Sequence, residues 1–121
     1  MEKVITISID NQVDIIEVDA IEYETLSTAV NGMIELVSLS EDVDMWLNEE
    51  GKLNGYNPNI LATLLFNKVF PDFDVIMGDV IITGGSDDDG NTVGLSDASI
   101  IDIFAMLQDA IDQANNYSVD E

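Results

Sequence analysis

The chain carries 25 Asp and Glu against 3 lysines, with no arginine and no histidine, and its formal net charge is −22. Self-repulsion at this excess opposes a compact state, and roughly 2–8 charges already suffice to keep a small domain in solution. Yet 46% of the residues are hydrophobic. An acidic disordered tail lacks the apolar residues that offset chain entropy. The sequence therefore describes a folded domain with an acidic exterior. Such a surface repels nucleic acid and anionic membranes. It attracts cationic surfaces, above all those of proteins that hold DNA or RNA.

Composition also removes whole classes of chemistry. Without cysteine there is no disulfide framework, no thiolate nucleophile and no Cys-type metal site. Without histidine the usual general base and the usual zinc ligand are missing. Without arginine there is no bidentate phosphate clamp. The expectation is a protein that is not an enzyme and carries no cofactor and no metal. The N-terminus, Met1-Glu2-Lys3-Val4, has no basic region leading into a long apolar run. No apolar stretch approaches the about 18 residues of a membrane span. These cues point to a cytoplasmic protein.

Residue pattern divides the chain into alternating hairpins and helices. Val4 to Ile9 alternates like a strand, Asp10-Asn11 is turn chemistry, and Val13 to Val18 is again β-like. Ile21 to Val30 has helical spacing and stops at Asn31-Gly32. Met33 to Leu39 and Val43 to Leu47 read as a second pair of strands. Asn57 suits an N-cap and Pro58 a first helical position, opening a helix that Pro71 ends. Phe73 to Met77 and Asp79 to Thr83 are strand-like on either side of Gly78, and Thr92 to Leu95 is a further short candidate. Ser96 caps a long last helix from about Asp97 to Ala114, with Ile100, Ile101, Phe104, Leu107, Ala110 and Ile111 as its core-facing stripe.

The predicted order is ββαββαββα. It makes an α+β domain with a mainly antiparallel sheet of about five to seven strands, two shorter helices and a long C-terminal helix. Residues 1–115 form a single domain on this reading, and 116–121 a frayed acidic tail.

Three motifs invite a functional reading. The loop Gly85 to Asn91 resembles a calcium loop in its aspartates. With Gly90 at the sixth position of such a loop, however, Gly85 and Ser96 fall where two carboxylate ligands are required. It is expected to be a solvated acidic turn. In the last helix Asp102, Asp109 and Asp112 share one face, spaced about 10.5 Å and 4.5 Å along the axis at about 1.5 Å per residue. Carboxylates so arrayed can imitate a row of phosphates. Asp14, Glu17 and Glu22 belong to a second acidic concentration near the N-terminus.

The third motif is the polar string Asn48 to Asn59. It combines turn signals at Glu50-Gly51 and Asn54-Gly55 with a helix start at Asn57-Pro58. It also gathers amide and carboxylate groups at a helix N-terminus. Asn48, Glu49, Glu50, Lys52, Tyr56 and Asn57 are the candidate lining of a ligand pocket there, since backbone amides at a helix start bind phosphate without arginine.

The string Asn48-Glu49-Glu50-Gly51-Lys52-Leu53, the Asn57-Pro58-Asn59 helix start, Asn31 to Val37, and Ile76-Met77-Gly78-Asp79-Val80 together resemble a small family of unknown function. It is widespread in phages, plasmids and the bacteria that carry them. The similarity runs from about Val4 to Ile101. It implies a mobile-element origin and a bacterial host cell, and it assigns no catalytic or binding residues.

Two functions follow as expectations. The first is a non-enzymatic phage or mobile-element protein that acts as an acidic DNA mimic. It would inhibit a basic nucleic-acid-binding or defence protein of the host through Asp102, Asp109, Asp112, Asp14, Glu17 and Glu22, with Trp46, Tyr56 and Tyr117 as desolvated anchors. The alternative is a module that binds or sequesters a small ligand, such as a nucleotide signal, in the Asn48 to Asn59 loop. Neither involves direct nucleic-acid or membrane binding. The oligomeric state, a homodimer included, is left open by the sequence.

Overall fold

The computed structural model describes residues 1–71 and 74–119, with residues 117–119 given by their helical backbone alone. Five antiparallel strands form one sheet in the order β2-β1-β5-β4-β3: β1 (Glu2–Ile7), β2 (Val13–Val18), β3 (Ile34–Ser40), β4 (Val43–Asn48) and β5 (Val80–Thr83). The helices are α1 (Tyr23–Val30), α2 (Ile60–Val69) and α3 (Asp97–Val119). The α+β class, the antiparallel sheet and the long last helix agree with the sequence reading.

The sheet is two hairpins joined by a central strand. In the first, Glu2 to Ile7 pairs with Val18 to Val13 without a break. The chain leaves the ladder at Ile7 rather than Ile9. Ser8 Oγ accepts from the N–H groups of Asp10 and Gln12, and the Asp79 carboxylate takes the N–H of Ile9 at 2.9 Å. β5 fits between the hairpins because all four of its residues, Val80 to Thr83, are apolar or hydrogen-bonded and buried. A strand read as continuously apolar belongs at a sheet centre with both faces covered.

Each face has its own core. α2 and α3 cover one, packing around Ile5, Ile7, Met45, Leu65, Ile82, Ile103 and Leu107. The short α1 covers part of the other, over Val4, Ile81 and the flank of Trp46. α1 ends where its sequence requires: Asn31 takes the left-handed conformation at φ 64°, and the N–H of Gly32 returns to Ser27 O at 3.1 Å. The helix begins at Tyr23, not Ile21, and Ile21 instead packs against the core beneath it.

Further expectations are corrected. The N-cap of α2 is Asn59, not Asn57; Pro58 forms an isolated bridge with Met77 instead of entering the helix. The first strand of the third pair, Phe73 to Met77, is absent: Phe73 lies outside the described residues, and of 74–77 only Met77 bridges. Thr92 to Leu95 is likewise no strand. It bridges at Thr92 to Ser86, and Leu95 N–H bonds Lys3 O at 2.8 Å. The buried stripe of α3 runs through Ile103, Leu107 and Ala110, while Ile101 and Phe104 are exposed. Ile103 and Leu107 enter the core shared with α2 and the sheet, and Ile100 and Met106 pack half-buried beside them.

Helix α3 also continues past Ala114 to Val119, since neither glycine nor proline interrupts it; residues 120–121 lie outside the described residues. Its start agrees with the sequence: Ser96 Oγ accepts from the N–H of Ser99 at 3.1 Å.

Candidate functional site

The charge distribution is the first feature a partner meets. All three lysines are ion-paired: Lys3 with Asp97 at 3.0 Å, Lys52 with Asp74, and Lys68 with Asp109. The Asp97 carboxylate, with Glu17 further off, raises the Lys3 ammonium above its ordinary value of 10.5. Lys52 and then the N–H of Val75 hold the Asp74 carboxyl below its ordinary 3.8. No lysine remains for the other carboxylates, so the excess negative charge faces water unopposed.

The six acidic site residues are all exposed, but they do not form one cluster. Asp102, Asp109 and Asp112 lie along the solvent side of α3. Asp109 shares Lys68 with the Gln113 side chain, and Asp112 accepts from Gln108 at 3.0 Å. Asp102 borders a cleft between α2, α3 and the β3–β4 turn, where Asp42 adds a second carboxylate. Asp14 and Glu17 belong to β2 and, three residues apart, project from opposite faces of the sheet. Glu22 stands at the start of α1, where a carboxylate is favoured by the helix dipole. The negative surface therefore wraps the domain.

The expected aromatic anchors are placed differently. Trp46 packs half-buried against the core under α1, and its Nε1–H donates to Thr83 Oγ1 at 2.9 Å. Tyr56 donates its hydroxyl to Asn31 O at 3.3 Å. The Tyr117 side chain lies outside the described residues. Among the described residues the exposed large apolar side chains on α3 are Ile101 and Phe104.

The string Asn48 to Asn59 is largely occupied with its own folding. Asn48 is buried; its Nδ2 donates to Val30 O at 3.0 Å and its Oδ1 accepts from Glu50 N–H at 2.8 Å. Asn57 is exposed, and its carbonyl accepts from Gly78 N–H at 2.8 Å. Two clefts flank the string. One, of about 240 Å³, is lined by Glu35, Asn48, Glu49, Lys52 and Asp74 among others. The other holds Tyr56 and Asn57 with Asn31, Gly78 and Asp79. Lys52, Asn48 and Glu49 thus stand apart from Tyr56 and Asn57, and Glu50 lines neither cleft.

The Asp87 to Asp89 loop is held by Asp87, whose Oδ1 accepts from the N–H groups of Asp89 and Asn91, both at 2.9 Å. That carboxylate shapes its own turn. Among the described residues no three carboxylates are grouped to hold a metal ion, and no helix is long and apolar enough to cross a membrane.

Sequence reasoning missed two residues that organise this end of the molecule. Asp74 is far along the chain from Lys52, and no local pattern pairs them. Asn59 is fully buried and makes three side-chain bonds, to Ile7 O, Gly78 O and Ala62 N–H. The one available signal was Asn at two positions of the same Asn-Pro-Asn triplet.

A family model described as a domain of unknown function, DUF3846, matches residues 1–108. The chain belongs to the DUF3846 family. The match spans the sheet, α1, α2 and the first half of α3. No curated protein and no solved structure matches the chain.

Proposed function

We propose that this DUF3846 chain is a non-enzymatic interaction protein of phage or mobile-element origin. On this reading it acts in the bacterial cytoplasm as an acidic mimic of nucleic acid, occupying the basic groove of a host nucleic-acid-binding or defence protein. One observation carries the reading. Every lysine is already ion-paired with a carboxylate of the same chain, while Asp14, Glu17, Glu22, Asp102 and Asp112 stand exposed outside those three pairs. A groove that holds phosphates meets a negative field from any approach, which speeds encounter and makes affinity fall with salt. Ile101 and Phe104 supply apolar contact that charge alone lacks.

The loop does less for an anionic ligand. Lys52 is engaged by Asp74 beside Glu49, and the Asn48 amide is consumed by the backbone. A phosphate would have to displace one carboxylate and sit beside another.

The test is capture from bacterial lysate at about 50 and about 200 mM salt, a range over which phosphate-type contacts weaken steeply, with elution by duplex DNA. Asp102→Asn combined with Asp109→Asn and Asp112→Asn is expected to lower capture with the fold intact, because all three side chains are exposed. Lys52→Ala is expected to change nothing. Equal capture by the triple variant, together with a nucleotide that binds through Lys52, would overturn the mimic.

A further inference from the structure

We propose that the outer edge of β2 is a docking site for an extended cationic segment of a partner protein, which joins the sheet as an additional antiparallel strand. The proposal shares with the function above only the positive charge of the partner.

The edge is open. β2 is the outermost strand, and no described strand pairs with its far side. A strand covered by helices on one face buries every second residue, and one covered on both buries them all. In β2 the four central residues Asp14, Ile15, Ile16 and Glu17 are all exposed, with Ile15 at 51% and Ile16 at 41%. Neighbouring residues point to opposite faces, so β2 extends beyond the helical layers on both sides and shows one isoleucine on each.

The edge also lacks the usual guards. Natural edge strands are blunted by lysine, proline, a bulge or extreme shortness. β2 has six residues, none of them lysine or proline, in unbroken register with β1. The opposite edge strand, β3, is interrupted by a register shift between Ser38 and Ser40. What protects β2 is charge alone.

That charge selects the occupant. If two copies paired antiparallel with Ile15 against Ile16, Asp14 would stand directly opposite Glu17 at both ends of the contact. Like charges directly opposite destabilise a strand pair, whereas opposite charges contribute about 0.2–1 kcal/mol each. The same four positions match a segment that reads cation, apolar, apolar, cation. On one face its cation meets Asp14 and its apolar residue meets Ile16; on the other, Glu17 and Ile15 are met likewise. Backbone hydrogen bonds along the edge supply affinity and the side chains supply choice.

The probe is a short capped peptide with Lys-Val-Val-Lys at its centre. Its control is the same peptide N-methylated at both valines, which keeps charge and apolar surface but cannot form the ladder. With the peptide at about ten times its Kd, hydrogen exchange of the β2 amides should slow by about tenfold, and the methylated control should give no protection. Asp14→Lys with Glu17→Lys should lose this peptide and accept one with Glu-Val-Val-Glu. Ile16→Lys, at an exposed position, should weaken both. Equal binding of the methylated peptide, protection mapping to α3, protection of β2 that depends on protein concentration without peptide, or no binding would each overturn edge addition. The mimic fails separately, by loss of DNA-dependent elution in the capture experiment.

Discussion

Asn59→Ala is the perturbation the structure prices most clearly. Asn59 is fully buried where three segments meet. Its Oδ1 caps α2 through Ala62 N–H at 3.0 Å, and its Nδ2 donates to Ile7 O and Gly78 O, both at 2.9 Å. Loss of the cap costs about 1 kcal/mol. Each buried carbonyl left without its donor costs about 1–3 kcal/mol. The sum is about 3–7 kcal/mol, against a typical domain stability of about 5–15 kcal/mol. Asn59→Asp retains an oxygen for the cap but turns acceptors toward two carbonyls, and it should be no more stable than alanine. Urea unfolding at fixed ionic strength reads the difference, because guanidinium would itself screen the surface charge. An alanine variant within about 1 kcal/mol of wild type would refute the reasoning: the two carbonyl bonds would then be worth nothing beyond water.

Salt should stabilise the fold, since the screening length falls from about 30 Å at 0.01 M to about 10 Å at 0.1 M; an unchanged Tm between these conditions would contradict it. Asp74 should titrate below 3.8 by NMR, and Lys52→Met should return it toward that ordinary value. Because its folded pKa is lowered, the stability it lends is present above 3.8 and lost as pH falls through the folded value. Gly78→Ala should destabilise more than Gly90→Ala in the same urea assay. Both residues have positive φ, 88° and 82°, but a Cβ on Gly78 meets Tyr56 Cδ2 at 2.9 Å while Gly90 faces open space.

What was legible in the sequence depended on local chemistry. The Asn31-Gly32 stop and the Ser96 cap are short-range devices, and both stand where the residues put them. The hairpins were legible from alternation within each strand. The α2 cap was misplaced by two residues because Asn57 and Asn59 are equivalent as local signals. Tertiary contact decides between them, through carbonyls of Ile7 and Gly78 that no window around Asn59 contains. The strand expected near Met77 is replaced by a single bridge to Pro58, since β5 already has β1 and β4 as neighbours. The exposure of Ile15, Ile16, Ile101 and Phe104 was hidden because an apolar residue in a good periodic pattern reads as core. Acidity was visible from composition. Its arrangement around the whole domain, with each lysine answered by its own carboxylate, needed coordinates.

A surface that stands in for nucleic acid must compete with it. The direct measurement takes the protein captured at low salt, binds it to labelled duplex DNA, and follows anisotropy as this chain is added at about 50 and about 200 mM salt. A nucleic-acid mimic gives full displacement, an apparent affinity that falls in proportion to the DNA present, and a steep loss of affinity at the higher salt. A ternary complex that retains the DNA, or displacement indifferent to salt, would contradict it.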